Sequence, residues 1–275
     1  MTQPQVILEF ATDLARRAGA LIAAERQGGG LTLSYKDGIE LLTSADLKSD
    51  ALIRGEISAA FPGHRILSEE SSPAMPQAER NQGPLWIVDP IDGTVNFAYG
   101  HAAVAVSLAY AEDGVVQAGV VHSPFLQETY CARRGGGATL NGLALRTSDC
   151  AELGRALIGT GFPYDRQERP PLVRRLARVL THCRDFRRIG SAALDLCWVA
   201  AGRLDGFYET LKPWDFAAAC LIARESGART GHLGAVPTGV PPELYGEDVV
   251  AAGPGIYEDL VALLRAVPID EEVRP

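Results

Sequence analysis

The sequence lacks an apolar run long enough to cross a membrane, and it lacks a secretion signal at its start. Across its 275 residues the hydrophobic stretches are interrupted by polar residues or glycine, whereas a membrane-spanning helix needs about 20 consecutive apolar residues. The first ten residues, MTQPQVILEF, contain no basic region followed by a long apolar one. We therefore expect a cytoplasmic protein with no membrane partner.

Cysteine and histidine are also scarce and follow no functional spacing. The five cysteines are odd in number and match no disulfide framework or zinc site, so we expect reduced thiols. Cys197 and Cys220 fall in apolar helical stretches and are predicted to be core residues. The five histidines are scattered, which disfavours a zinc site and a Ser-His-Asp or Cys-His nucleophile.

An excess of positive charge is absent as well. The formal net charge is −8, so binding to nucleic acid through a general electrostatic attraction is not expected. An acidic protein that binds an anionic substrate needs cations close to that substrate. This requirement favours a metal ion.

The periodicity of the hydrophobic residues predicts two different halves, 1–145 and 146–275. The first half combines helices over 5–27 and 45–61 with strands at 65–67, 85–88, 103–110, 115–122 and 128–133, and with a polar loop over 71–84. In the second half, helical patterns at 171–183, 191–201, 214–226 and 256–266 alternate with strands near 185–189, 204–208 and 247–252. The fold class is therefore α/β, an α+β half joined to an α/β half in one layered sandwich.

Acidic residues cluster where the predicted strand 85–88 ends, in the sequence WIVDPIDGT. The strand delivers Asp89, Pro90 is expected to force a turn, and Asp92 then returns close to Asp89. Gly93 and Thr94 follow, and a tight turn there would point backbone N–H groups at an incoming anion. Two carboxylates beside such a turn suit a metal ion that holds a phosphate.

Two more acidic segments qualify for the same site. Glu69 and Glu70 follow the short strand at 65–67, and Asp215 opens the helix predicted at 214–226. Each has a simpler interpretation, since a pair of glutamates is commonly solvated and an aspartate in a first helical turn commonly caps the helix. Taken together, the segments supply the oxygen ligands that Mg²⁺ prefers.

These segments closely resemble the inositol monophosphatase family over essentially the whole chain. One family signature corresponds to residues 86–97, and the other begins at Trp214-Asp215 and continues to residue 227; segments 43–46 and 69–71 also match. The resemblance implies an αβαβα sandwich with most metal ligands in 1–145, and the substrate loop and Asp215 in 146–275. It also implies a lithium-sensitive homodimer that hydrolyses inositol 1-phosphate with two to three Mg²⁺ ions.

The resemblance further implies roles for individual residues. The implied metal ligands are Glu69, Asp89, Asp92, Asp215 and the main-chain carbonyl of Ile91. Thr94 and Asp46 would orient the attacking water, with Glu69 as the third catalytic residue. Small residues in a loop would admit a polyol, and an acid would accept its hydroxyl protons. The implied substrate-binding residues are Asp92, Gly93, Thr94, Gly190, Ser191, Ala192, Glu209 and Asp215.

Several alternatives stay open at this stage. Val95-Asn96-Phe97 and Gly190-Ser191-Ala192 differ from the motifs of related nucleotide 3′-phosphatases and histidinol-phosphate phosphatases. Fructose 1,6-bisphosphate or another sugar or nucleotide phosphate remains an alternative substrate. A regulatory protein that keeps the fold and acts through a protein partner is the non-enzymatic alternative. Glu40 replaces an aspartate of the family pattern, and Lys36 matches a basic position; neither is assigned a role.

Overall fold

A computed structural model describes residues 4–36, 38–72 and 74–267 of the chain. The first three residues of the start sequence and the last eight of the predicted C-terminal half lie outside this part. None of the helices in these ranges is long and apolar enough to cross a bilayer.

The helices and strands follow one another along the described ranges with three short 3₁₀ turns between them. In chain order they are α1 (Pro4–Gln27), β1 (Leu33–Lys36), β2 (Glu40–Thr43), α2 (Ser44–Ala60), β3 (Arg65–Ser68), α3 (Gln77–Arg80), β4 (Pro84–Asp92), α4 (Thr94–Ala98), β5 (Ala105–Glu112), β6 (Val115–Ser123), β7 (Glu128–Arg133), β8 (Ala138–Leu140), β9 (Leu143–Ala144), β10 (Leu157–Thr160), α5 (Arg169–His182), β11 (Asp185–Arg187), α6 (Ala192–Ala200), β12 (Gly206–Glu209), α7 (Pro213–Glu225), β13 (Arg229–His232), β14 (Val249–Ala252) and α8 (Tyr257–Arg265).

Two large sheets and one hairpin are formed by these strands. The first sheet has the order β3-β4-β5-β6-β7-β8-β9, and only the β3–β4 pair in it is parallel. The second has the order β11-β10-β12-β14-β13. In it β10 runs parallel to β11 and β12, whereas β14 runs antiparallel to β12 and β13. Strands β1 and β2 form a separate antiparallel hairpin.

Three apolar clusters hold the layers together. α1 and α2 cover one face of the first sheet around Trp86 and Phe97. α6 and α7 lie between the two sheets, in a cluster that contains Phe207 and Phe216. Helix α8 covers the outer face of the second sheet around Leu260, and α5 packs beside it. The order of layers is therefore α-β-α-β-α, which confirms the predicted sandwich.

The middle helices are apolar around most of their circumference because both of their faces are covered by sheets. Cys197 in α6 and Cys220 in α7 are buried, as predicted. α7 approaches β6 very closely at Gly119, where an added Cβ would lie 2.8 Å from the Ala218 carbonyl oxygen. A side chain at either position limits how near the helix can come, so the small residues there determine the spacing of the layers.

The structure corrects the expectation of a turn at Pro90. Strand β4 continues to Asp92, and its pairing with β5 shifts register between Asp89 and Asp92. This irregularity is a β-bulge, and proline is tolerated there because no ladder hydrogen bond is required from it. The hairpin β1–β2, the strands β10 and β13, and helix α3, which falls inside the predicted polar loop, were not predicted from the sequence. These elements are only four residues long, and so they give little periodic signal.

Candidate functional site

A cleft of about 720 Å³ opens where the first sheet meets the loops of the second. It receives the ends of β3, β4 and β12 and the starts of α6 and α7. All of the predicted site residues except Asp46 line it, namely Glu69, Asp89, Ile91, Asp92, Gly93, Thr94, Gly190, Ser191, Ala192, Glu209 and Asp215. Residues far apart in the chain are therefore brought to one surface.

The bulge in β4 explains how two aspartates of one strand reach the same cleft. An extra residue between Asp89 and Asp92 changes which way the following side chain points. The Ile91 amide donates a hydrogen bond of 3.0 Å to Asp89 Oδ1. This short-range contact stabilises the bulge and holds the Asp89 carboxylate.

Asp92 connects the first sheet to the predicted substrate loop. Its Oδ2 accepts hydrogen bonds from the Ser191 hydroxyl at 2.5 Å and from the Ala193 amide at 2.8 Å. The same Ser191 oxygen accepts from the Leu194 amide and caps α6. The loop before α6 is thus tied to the strand that carries both aspartates.

Asp215 lies in the first turn of α7, as expected. Its Oδ2 accepts a hydrogen bond of 2.7 Å from the Lys212 amide, so the capping interpretation is correct for one carboxylate oxygen. The residue nevertheless lines the cleft. Asp215 can therefore both cap α7 and belong to the site, because its carboxylate has two oxygens.

The hairpin β1–β2 brings a cation to the acidic cluster. Lys36 Nζ lies 3.1 Å from Glu69 Oε1, 2.7 Å from Glu70 Oε1 and 3.2 Å from Glu40 Oε1. Burial by itself would lower the pKa of Lys36, but the surrounding carboxylates raise it well above its usual value. Sequence reasoning left Lys36 and Glu40 without a role, and the structure puts both on the lining of the cleft.

The carboxylates strongly perturb one another. Burial raises the pKa of Asp89 well above its usual value, and the charges of Glu69, Asp92 and Asp215 add to the rise. Burial likewise raises the pKa of Asp92 to about 6, despite its hydrogen bonds, and that of Asp215 to about 8. For Glu69 burial again dominates the upward shift of the pKa, and Lys36 opposes it. Buried acids that repel one another in this way favour a cation among them.

Thr94 and Asp46 form the pair expected behind the acids. Thr94 Oγ1 lies 3.2 Å from Asp46 Oδ1 and 3.2 Å from the Ile91 carbonyl oxygen. Asp46 is buried beneath the cleft, where its Oδ2 accepts hydrogen bonds from the Thr43 amide and hydroxyl at 2.9 and 2.5 Å. Burial raises the pKa of Asp46, and the Thr43 hydrogen bonds oppose that rise.

The chemistry of these donors fits Mg²⁺, although their present arrangement does not form a complete cage. Glu69, Asp89, Asp92, Asp215 and the Ile91 carbonyl offer only oxygen, the donor type that Mg²⁺ prefers. In the described part of the chain no three Asp, Glu, His or Cys side chains converge closely enough to hold an ion. One oxygen of each carboxylate instead contacts a protein donor. The ligand set therefore remains a prediction.

Other lining residues were not predicted from the sequence. Arg188 precedes the substrate loop, Tyr164 projects from the segment after β10, and Asp195 lies in the first turn of α6. An added Cβ at Gly161 would lie 2.1 Å from Glu209 Oε1, so a side chain there would collide with the Glu209 carboxylate. Arg188 and Asp195 lie on either side of the predicted substrate loop 190–192, but their positions in the sequence gave no reason to assign them a role.

Comparison with known proteins agrees with this geometry. A sequence profile described as the inositol monophosphatase family matches residues 3–267. Nus factor SuhB of Escherichia coli (strain K12) is 37% identical over 262 residues, which covers 94% of this chain and 96% of that protein. The putative Nus factor SuhB of Neisseria meningitidis (serogroup B, strain MC58) is 37% identical over 264 residues, with coverage of 94% and 98%.

Solved structures give the same result. The inositol monophosphatase from Anabaena (Nostoc) sp. PCC 7120 superposes with a TM-score of 0.82 at 34% identity, covering 98% of this chain and 99% of that one. An IMPase/NADP phosphatase solved with NADP and Ca²⁺ superposes with a TM-score of 0.83 at 25% identity, covering 97% of each chain. The layered fold, the grouped acids and these similarities agree: the chain belongs to the inositol monophosphatase family.

Proposed function

We propose that the protein is a Mg²⁺-dependent phosphatase that hydrolyses a phosphate monoester of a small polyol, with inositol 1-phosphate as the first candidate. One observation carries the proposal. Glu69, Asp89, Asp92 and Asp215 come from three distant segments and line one cleft. Burial raises the pKa of all four, and the charges of neighbouring acids add to the rise for Glu69, Asp89 and Asp215. Such grouping of buried acids is costly for a protein without a cation, and a phosphate monoester needs cations around it.

The predicted ligands would divide between two ions. Glu69, Asp89 and the Ile91 carbonyl would hold one, and Asp89, Asp92 and Asp215 the other, with a third weaker ion beside Glu69. When bound, the ions supply the Lewis-acid chemistry of phosphoryl transfer, which acidifies water and neutralises phosphoryl and leaving oxygens. The acidic cleft would otherwise repel its anionic substrate.

Thr94 and Asp46 would position the attacking water. If the Thr94 hydroxyl donates to Asp46 Oδ1, its lone pairs are left to accept a hydrogen bond from water in the cleft. Asp46 is held in place by Thr43 and would keep the Thr94 hydroxyl in this orientation. As the attacking water loses its proton, positive charge would shift towards the Asp46 carboxylate. The protein thereby needs no covalent nucleophile.

The rest of the cleft would hold the alcohol. Gly190, Ser191 and Ala192 present a small-residue surface that a polyol ring can approach. Glu209 has two carboxylate oxygens that can accept hydrogen bonds from adjacent hydroxyls. The Gly161 backbone packs closely against the Glu209 carboxylate and restricts where that carboxylate can lie, which supports this role.

A phosphate-release panel tests the proposal. The compounds are inositol 1-phosphate, fructose 1,6-bisphosphate, histidinol phosphate, 3′-phosphoadenosine 5′-phosphate and NADP, each with and without Mg²⁺. We expect Mg²⁺-dependent release that is fastest with inositol 1-phosphate, and inhibition by Li⁺. Hydrolysis that needs no divalent ion, or no hydrolysis of any compound, would contradict the proposal.

Asp89→Asn is the sharpest variant for the site. It keeps the shape of a side chain that is 1% exposed but removes the charge shared by both predicted ions. We expect at least a 100- to 1,000-fold loss of kcat/KM, the order seen when one group that stabilises the transition state is removed. The circular dichroism spectrum should be unchanged. Asp13→Asn on the exposed surface of α1 is the matched control and should retain full activity.

A regulatory role is the second candidate, because SuhB relatives are named Nus factors. In that case the protein would act through a protein partner, whether or not it hydrolyses phosphate. Asp89→Asn separates the two roles, since it should abolish hydrolysis without altering a docking surface elsewhere. The homodimer stays part of the proposal, and light scattering of the purified protein tests it.

A further inference from the structure

Helix α2 turns a polar stretch toward the first sheet, although the rest of its buried face is apolar. Asp46, Ser49 and Asp50 are buried in its first two turns, whereas Ile53 and Ile57 are the buried residues further along the helix. Burying a hydroxyl or a carboxylate costs free energy unless it has hydrogen-bond partners. The proposed mechanism uses Asp46 but leaves Ser49 and Asp50 without a role.

Asp50 holds both ends of the short segment that carries Glu69. The Ser68 hydroxyl donates a hydrogen bond to Asp50 Oδ1, and the Ser71 hydroxyl donates to the same oxygen at 3.2 Å. Asp50 is 5% exposed, and its Oδ2 lies 3.7 Å from Arg54 Nη1, which is too far for a hydrogen bond. The side-chain hydrogen bonds of this buried carboxylate therefore come from the two serines that flank the Glu69 segment.

The pairing of β3 with β4 converts this contact into a position for Glu69. The two strands run parallel, and Ser68 is paired with Val88. The Glu69 amide donates to the Val88 carbonyl at 3.2 Å, so Glu69 leaves β3 next to the point where Asp89 follows Val88 in β4. Glu69 and Asp89 are the two side chains predicted to hold the first ion. A group that fixes Ser68 therefore also fixes the distance between these predicted ligands.

The neighbouring residue of α2 holds the other strand. The Ser49 hydroxyl is buried and donates to the Pro90 carbonyl at 3.1 Å, inside the bulge between Asp89 and Asp92. Consecutive residues of one helix thus contact both of the segments that carry predicted ligands. Because the spacing of consecutive helical residues is fixed, α2 sets how far apart these two segments lie.

We infer that Asp50 is a positioning residue for Glu69, and that it raises the Mg²⁺ affinity of the predicted site by holding Glu69 beside Asp89. The inference rests on the function proposed above and adds a residue that does not line the cleft. Groups that orient the ligands of a metal contribute to its affinity without touching it. Asp50 acts in this way through the two serine hydroxyls and the backbone between them, and Ser49 supports the same geometry from the side of Asp89.

Calorimetric titration with Mg²⁺ tests the inference in the wild type, Asp50→Ala and Asp50→Asn. Asp50→Ala removes the acceptor of both serine hydroxyls and should weaken Mg²⁺ binding by about 10- to 100-fold, the usual effect of losing a group that orients a ligand. Asp50→Asn keeps an oxygen that can accept both hydrogen bonds, so it should restore most of the affinity. In phosphate-release assays Asp50→Ala should need correspondingly more Mg²⁺ for its half-maximal rate, and most of kcat should return at saturating Mg²⁺.

Asp205→Ala is the matched control for a purely structural effect. Asp205 accepts hydrogen bonds from the Ser148 hydroxyl at 2.5 Å and from the Leu157 amide at 2.7 Å, and it does not line the cleft. Both alanine variants should unfold at lower urea concentration, because each leaves donors without their partner. Only Asp50→Ala should change the Mg²⁺ affinity. A wild-type affinity in Asp50→Ala, or an equal loss in Asp205→Ala, would overturn the inference.

Ser71→Ala provides the test if Asp50→Ala does not fold. Ser71 is exposed, so this variant should keep the fold while losing one of the two hydrogen bonds to Asp50. We expect its Mg²⁺ binding to weaken by about 2- to 10-fold, the effect of one hydrogen bond. Ser58→Ala, at an exposed position of α2, is its control and should bind Mg²⁺ like the wild type. Equal affinities of the two serine variants would contradict the inference.

The two measurements distinguish failure of this inference from failure of the proposed function. A wild type that binds Mg²⁺ but hydrolyses no phosphate ester contradicts the proposed function, and the Mg²⁺ affinities of the Asp50 variants still decide the role of Asp50. Hydrolysis that depends on Mg²⁺, together with an Mg²⁺ affinity that Asp50→Ala leaves unchanged, refutes the role of Asp50 alone.

Discussion

The Thr94 hydroxyl shows how much of the proposed chemistry depends on single atoms. It lies at hydrogen-bonding distance from both the Asp46 carboxylate and the Ile91 carbonyl. Ile91 and Thr94 flank Asp92 and Gly93 at the end of β4, whereas Asp46 belongs to α2. Among the hydrogen bonds of the buried Asp46 carboxylate, the one from Thr94 is the one that leads to the cleft, so a role for Asp46 in positioning water depends on Thr94.

Replacing Thr94 tests that dependence. Thr94→Val keeps the side-chain shape but removes the hydroxyl, and we expect kcat to fall by about 100- to 10,000-fold, the range for loss of a positioned proton-transfer group. Thr94→Ser keeps the hydroxyl and should retain most of kcat. Phosphate-release kinetics measure both. Equal losses in the two variants would instead indicate that packing of the methyl group is what matters.

Glu209 should make stability depend on pH when divalent ions are chelated. Burial raises its pKa from 4.5 to about 8 in the folded protein. The folded state therefore holds this proton more tightly than the unfolded state, so stability falls as the pH rises between these two values. Glu209→Gln should remove this pH-dependent loss of stability. The Tm of the variant should therefore exceed that of the wild type at pH 9 but not at pH 4.5.

Thermal unfolding in EDTA at the two pH values measures this difference. Glu79→Gln, at an exposed position of α3, is the control and should follow the wild type at both values. A constant offset between Glu209→Gln and the wild type would show that the effect is not one of ionisation.

At the scale of elements, the contact between α7 and β6 sets how the site is assembled. α7 carries Asp215, and β6 belongs to the sheet that carries Asp89 and Asp92. A Cβ at Gly119 would lie 2.8 Å from the Ala218 carbonyl oxygen and 2.9 Å from its Cα. Any side chain on β6 at this point would push the helix, and its acid, away from the sheet.

Gly119→Ala should therefore reduce the free energy of unfolding by about 1–3 kcal/mol, the usual effect of overpacking. Gly55→Ala is the matched control, since Gly55 lies within α2 with open space around it. There the substitution should increase the free energy of unfolding by about 0.5–1 kcal/mol. Urea denaturation measures both, and an unperturbed Gly119→Ala would show that the layers can separate at little cost.

At the scale of the whole molecule, the acids connect distant segments, so an ion that binds them should stabilise the fold. An ion that binds only the folded state and is present at 100 times its Kd adds about 2.7 kcal/mol. For a chain of this size that corresponds to a rise in Tm of about 5–10 °C. We expect millimolar Mg²⁺ to produce it, and NaCl of equal ionic strength not to.

Asp89→Asn provides the internal comparison for this measurement. It removes the carboxylate shared by the two predicted ions, so most of the Mg²⁺-dependent rise in Tm should disappear. An equal rise in this variant would place the ion elsewhere on the protein.

The sequence was sufficient for the long, periodic elements. Helix α1, strand β6 and helix α7 lie within two residues of their predicted bounds, because one buried face or a mostly apolar run leaves a clear pattern. Strand β10 and the β1–β2 hairpin carried no such pattern, and their formation depends on pairing with partners elsewhere in the chain.

By itself, the sequence determined the family, the layered fold and which acidic residues to examine, because those depend on local motifs and hydrophobic periodicity. Only the tertiary structure decided that β4 continues through a bulge at Pro90, that Lys36 contacts Glu69 and that Ser191 contacts Asp92. These features arise from contacts between residues far apart in the chain. Local patterns carry no information about such distances, which are fixed only when the layers pack.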